Sequence, residues 1–171
     1  MPKFISWIPT REEFINSFFE ICPVSTSDIV YDLGSGDGRL LFAALEKGVA
    51  KCIGIDIDPD RIKVAFEAST RKKLNNKVKF IEADVLDVDL SEASVIFCYL
   101  CTTASAALKP KFEKELKTGT RIVMESFPIR GWKPVKESVT NGRDFYFYTI
   151  PPEKTGEQDT PVNYPQYYYG L

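Results

Sequence analysis

Residues 30–40 read VYDLGSGDGRL, an apolar run that ends in Gly34, Gly36 and Gly38 alternating with Ser35 and Asp37. Three glycines in five positions give up backbone order that folding must restore, so the loop calls for positive φ or for a backbone pressed against something. Asp56 ends the next apolar run, KCIGID, 18 residues after Gly38, and Asp84 follows a third, VKFIEA. A carboxylate at the first of these places can accept hydrogen bonds from both hydroxyls of a ribose, and one at the second can meet an adenine amino group. Asp37, inside the loop, repels phosphate and suits a ligand with a cationic or zwitterionic end.

Spacing separates this loop from other glycine loops. A Walker loop needs Gly-Lys-Ser/Thr, which the chain lacks, and the dinucleotide fingerprint needs its third glycine where Arg39 stands. Cys98 and Cys101 form a C-x-x-C, but with no histidine in the chain and the other two cysteines far off, zinc is not expected. A thioredoxin-like pair is compatible with the spacing; the plainer reading is two small hydrophobes at a strand end.

The elements that must carry these residues follow from periodicity. Thr10 and Glu13 have the spacing of a capping box, and Phe14, Ile15, Phe18, Phe19, Ile21 and Cys22 recur at helical intervals after it. Strand-like runs at 28–33, 51–56, 78–83, 94–99 and 120–126 alternate with helical ones at about 39–47, from Asp58 and Pro59 onward, and at 104–117. That alternation predicts a parallel sheet with both faces covered, so the glycine loop and the aspartates fall at the carboxyl ends of the strands. From Val135 the text changes to two strand-like runs about Asn141-Gly142, an antiparallel hairpin. One domain over 1–150 is expected, with a Pro- and Tyr-rich tail over 151–171, poorly ordered or docked on the surface.

Composition excludes several classes. The 171 residues suffice for one core, with 44% hydrophobic and 27% charged residues. A net charge of −2 lacks the footprint of a protein that tracks phosphate backbones. No run approaches a membrane span, and the N-terminus lacks a secretion signal, so a cytoplasmic protein is expected. The basic run 71–79 reads as a solvated helix end.

VYDLGSGDGRL, GIDID and EADV resemble the first three cofactor motifs of the class I S-adenosylmethionine-dependent methyltransferases, over residues 28–150. WIPTREE, LKPKFEKELKTGTRIV and SFPIRGWKP extend the resemblance to the small archaeal broad-specificity protein lysine methyltransferases and their mitochondrial relatives. The resemblance implies a seven-stranded, mostly parallel, doubly wound sheet of the Rossmann-like methyltransferase fold, closed by an antiparallel C-terminal hairpin. It implies that Asp32, Gly34, Gly36 and Gly38 line the methionine end of S-adenosyl-L-methionine, that Asp56 holds the ribose, and that Asp84 and Val85 flank the adenine. Ser35, Asp37 and Ile57 join the same site, with Trp7 to Thr10 closing over it. S-adenosyl-L-homocysteine would be the product.

The implied activity is methyl transfer to lysine ε-amines of proteins with exposed lysines, by a monomer that needs no metal, nucleic acid or membrane. The alternatives are a methyltransferase for a small molecule or RNA, and an inactive cofactor-binding module. Trp7, Tyr99 and Trp132 are candidates for an aromatic lining of the acceptor channel, and Glu125, at the fifth strand's end, could orient the incoming ammonium. Trp7 stands where these relatives often carry tyrosine, and Tyr99-Leu100-Cys101 is a variant of the segment after the fourth strand. No Asp/Asn-Pro-Pro-Tyr/Phe follows that strand, which argues against an amide or adenine amino group as acceptor.

Overall fold

The computed structural model describes residues 10–157. Helix α1 (Glu12–Ile21) leads into β1 (Ile29–Leu33), α2 (Arg39–Glu46), β2 (Lys51–Asp56), α3 (Pro59–Arg71), β3 (Val78–Glu82), β4 (Val95–Cys98), α4 (Thr102–Glu115) and β5 (Arg121–Glu125). The short β6 (Trp132–Lys133), the hairpin β7 (Lys136–Thr140) and β8 (Arg143–Thr149), and β9 (Glu153–Lys154) complete it. The main sheet has the order β3-β2-β1-β4-β5-β8-β7. Its first five strands are parallel, and β8 runs antiparallel to both β5 and β7. This is the expected seven-stranded sheet, and the switch in strand order beside β1 puts the glycine loop over a crevice at the carboxyl edge.

The two faces are covered unequally. On one, α1, α2 and the end of α3 pack on Val30, Cys52, Val95, Phe97, Val123 and Phe145. On the other, α4 supplies Leu108 and Phe112, while non-helical chain, including Leu90, Ala93 and Ile129, covers the rest. The apolar strands explain this: Val95 to Cys98 are buried throughout, as a strand covered on both faces must be.

The Thr10 cap and the Trp132 lining need correction. Thr10 is not the first cap: the N-cap of α1 is Arg11, with no side-chain cap bond, and the Thr10 carbonyl instead accepts from Arg39 Nη1 at 3.2 Å. At the start of the expected tail, Glu153 and Lys154 pair antiparallel with Lys133 and Trp132 in a second, two-stranded sheet, and residues 158–171 lie outside the described residues. Trp132 does not line a channel; it is buried edge-on against Tyr148 and beside Phe112. By contrast Asp58 caps α3 as expected, accepting from Asp60 N, with Pro59 in the first turn.

Candidate functional site

Gly34, Gly36 and Gly38 all have positive φ, at 87°, 53° and 80°. A Cβ on Gly34 would lie 2.8 Å from Leu100 Cδ2, and one on Gly38 would lie 2.5 Å from Phe80 Cζ, so both strain and contact require glycine there. The loop is tied to β2. The amides of Gly34 and Ser35 both donate to the Ile55 carbonyl, at 2.8 and 2.9 Å, and the Gly36 amide donates to Asp56 Oδ2 at 2.8 Å. Amides that would cradle a phosphate are thus already engaged within the fold, which separates this loop from the phosphate-binding kinds.

Asp32, on β1 just before the loop, is buried, with 7% of its surface left exposed. Burial first, then the charges of Asp56, Asp37 and Glu125, push its pKa up to about 8. The Ser35 hydroxyl, three residues on in the loop, is buried and unpartnered. A buried carboxyl before a positive-φ loop and an unpartnered hydroxyl within it suit a polar ligand with a cationic end.

Asp56 is buried at the end of β2, its oxygens held by the amides of Gly36 and, at 3.0 Å, Asp58. A carboxylate has about four lone-pair directions, so acceptor capacity remains for ligand hydroxyls. Ile57, next in the chain, is one of few large apolar side chains left exposed, at 39%. Asp84 begins a turn in which its Oδ1 accepts from Leu86 N at 2.9 Å, and Val85 inside that turn packs against the buried core of the α4 face. The ends of β2 and β3 therefore present a carboxylate and an exposed isoleucine at the first and a second carboxylate at the other.

Asp37 differs from its expected role. Its carboxylate chelates the guanidinium of Arg39, with Nε at 2.9 and 3.0 Å from the two oxygens, so its charge is matched within the loop. Asp56 likewise has a cation near it, with Arg61 Nη1 3.7 Å from its Oδ1. Arg39 links Asp37 to Thr10, which places the start of α1 beside the glycine loop.

On the acceptor side, Glu125 is fully buried at the end of β5, not solvated at a surface. Arg143 Nη1 donates to its Oε1, while Oε2 has no partner. Burial pushes the Glu125 carboxyl above its usual range, against the pull of Arg143. Tyr99, half-buried after β4, has the Arg143 guanidinium 5.1 Å from its ring centroid. Tyr99 and Glu125 are thus brought together, through a residue that the sequence reading passed over. Hairpin periodicity marks Arg143 only as a turn-flanking residue, and its partners lie far away in sequence. Trp7 lies outside the described residues.

Cys98 is fully buried and its thiol is pushed up by burial, as befits a core side chain, and Cys101 contacts the Thr103 hydroxyl at 3.0 Å. Both thiols are free. Among the described residues no cluster of His, Cys, Asp or Glu could hold a metal ion, and no helix is long and apolar enough to cross a membrane.

Comparison with known proteins agrees with this geometry. A family model described as the ANTKMT methyltransferase domain matches residues 32–136, from Asp32 to the start of β7. A protein-lysine N-methyltransferase of Saccharolobus islandicus is 38% identical over 151 residues, which cover 85% of this chain and 94% of that protein. The adenine nucleotide translocase lysine N-methyltransferase of Mus musculus is 31% identical over 104 residues, 61% of this chain and 45% of the mouse protein. The alignment thus takes in almost all of the archaeal relative and under half of the mouse one. Among solved structures, an RNA methyltransferase from Salinibacter ruber in complex with S-adenosyl-L-homocysteine superimposes with a TM-score of 0.84 at 33% identity, over 90% of this chain and all of that one. A glycine loop tied to β2, acidic strand ends and a family match that begins at Asp32 place this chain in the ANTKMT methyltransferase domain family.

Proposed function

We propose that this protein transfers the methyl group of S-adenosyl-L-methionine to lysine ε-amines of other proteins, as a cytoplasmic monomer. The observation that carries the reading is Asp32, a carboxyl whose burial favours its neutral form until a cation arrives, in the same strand-loop segment as the unpartnered Ser35 hydroxyl. A ligand ammonium would satisfy both. Asp56 would take the ribose hydroxyls, Ile57 and Val85 would offer apolar faces to the adenine, and Asp84 would accept from its amino group with the oxygen that Leu86 leaves open. Gly34, Gly36 and Gly38 let the backbone approach the methionine end, and Asp37 with Thr10 braces the loop from outside through Arg39.

When bound, S-adenosylmethionine would supply an electrophilic methyl group on a sulfonium for an amine lone pair to take up. The chain's residues have to hold the acceptor in line and keep water out. An acceptor lysine must first lose a proton, which at pH 7 costs about 4–5 kcal/mol from a pKa near 10.4. A half-buried aromatic wall disfavours the ammonium and lowers that cost. Tyr99 supplies that wall, and Glu125 is linked to it through Arg143.

Lysine as acceptor is supported by the named activities of the archaeal and mouse relatives. A second reading, RNA as acceptor, is favoured by the name of the Salinibacter neighbour. The net charge of −2 favours protein, since RNA binding draws on cationic surface. The test is incubation of a cell extract with methyl-labelled cofactor and this protein, followed by protease or ribonuclease. Label released by protease alone supports the proposal, and label released by ribonuclease alone replaces it with the second reading.

A further inference from the structure

Arg143 joins four elements at the carboxyl edge of the sheet. It opens β8, its guanidinium lies 4.3 Å from the ring centroid of Phe14 on α1 and 5.1 Å from that of Tyr99 after β4, and it donates to Glu125 at the end of β5. A buried ion pair with one carboxylate oxygen unmatched is a poor stabiliser, because desolvation of both groups offsets most of their attraction. The backbone beyond Glu125 is tight as well. Ser126 has φ 66°, the Phe127 amide donates back to the Glu125 carbonyl at 2.9 Å, and the Ser126 amide is held by the Asp144 carbonyl at 2.8 Å. A positive-φ γ-turn at a non-glycine residue is strained, and such strain gathers at functional sites.

We infer that Arg143 is a positioning residue for methyl transfer, held by Glu125 and stacked between Phe14 and Tyr99 so that the Tyr99 ring stays fixed at the wall of the acceptor channel. This rests on the reading of Tyr99 as that wall, and it gives Glu125 the task of holding Arg143 rather than of meeting the acceptor itself. Planarity is the property that matters. A guanidinium can lie against two rings while bonding a carboxylate, whereas a lysine ammonium keeps the charge and loses the stack. Because the pair sits on the acceptor side, its loss should slow turnover and leave the cofactor end intact.

The experiment measures S-adenosylmethionine affinity by calorimetry, and kcat and KM with unfolded casein as the lysine acceptor, for wild type, R143K, E125Q, the double variant and F14L. Turnover is expressed per cofactor-binding site, so that any unfolded fraction is removed from the comparison. The expected result is a kcat at least tenfold lower in R143K and E125Q, with cofactor Kd and casein KM within threefold of wild type. The double variant should be no slower than the slower single one, since residues acting as a unit are not additive. F14L, which leaves every charge in place, should lower kcat by a smaller factor. An R143K kcat equal to wild type, losses that multiply in the double variant, or an F14L kcat equal to wild type overturns the inference while the function stands. A wild-type protein that binds cofactor and labels no lysine overturns both.

Discussion

Asp56 Oδ2 accepts the Gly36 amide proton at 2.8 Å, so the carboxylate that ends β2 also fixes the loop that leaves β1. One residue is thereby placed to shape the cofactor site twice, by direct contact and by holding the glycine loop in its positive-φ path. Asp56→Ala should weaken S-adenosylmethionine binding by about 1.5–3 kcal/mol, the range for hydrogen bonds to a charged group. Calorimetry checks this, and an unchanged affinity returns Asp56 to a purely structural part.

Asp32 makes the site pH-dependent. Its folded pKa of about 8 lies above the ordinary carboxyl value, so the ligand-free fold favours the protonated form. Its contribution to stability is therefore fully present below about pH 4 and is lost as pH rises towards 8, by an amount on the order of a few kcal/mol. A cationic ligand reverses the preference, so cofactor binding between pH 6 and 7 should release a proton from Asp32. Calorimetry in buffers of different ionisation enthalpy should find that release in wild type and find it diminished in Asp32→Asn. Equal proton release in the two proteins would contradict the assignment.

Gly38→Ala places a Cβ at φ 80° and 2.5 Å from Phe80 Cζ, whose ring packs against Phe42. The left-handed conformation alone costs about 1–2 kcal/mol. Denaturant unfolding should show a loss of at least that size, and cofactor affinity should fall as the loop shifts. A variant with wild-type stability and affinity would mean that the loop tolerates a side chain there.

What was legible in the sequence divides along chain distance. The KCIGID strand, the Asp58-Pro59 helix start and the Asn141-Gly142 hairpin are local signals, and each appears where the sequence placed it. The Thr10–Glu13 spacing misled, because the first helical bonds, from the Phe14 and Ile15 amides, run to the Arg11 carbonyl, so the helix begins one residue later than a cap at Thr10 requires. Two-residue strands such as β6 and β9 carry no period, so their pairing was invisible. At the site, glycines and strand-end aspartates are set by the strand-loop-helix unit itself and could be read directly. The Glu125–Arg143 pair could not, since burial of a carboxylate depends on a cation that arrives only when the hairpin folds back against β5.

Helix α1 belongs to the core and is not a detachable lid. Phe18 is buried with its ring edge-on to Phe97 on β4 and Phe145 on β8, at centroid distances of 5.0 and 5.2 Å. Phe18→Ala should cost about 3–5 kcal/mol of stability by denaturant titration. A cost below 1 kcal/mol would show that α1 adds little to the fold.

Which atom receives the methyl group decides between a lysine methyltransferase and every other reading. The direct measurement is fragmentation mass spectrometry of proteins incubated with this enzyme and cofactor carrying an isotopically labelled methyl. The account predicts labelled methyl on lysine ε-nitrogens, with an initial rate that climbs as pH rises towards the amine pKa, because deprotonation precedes displacement. Label confined to RNA, to carboxylates or to a small metabolite, with protein lysines unlabelled, would contradict it.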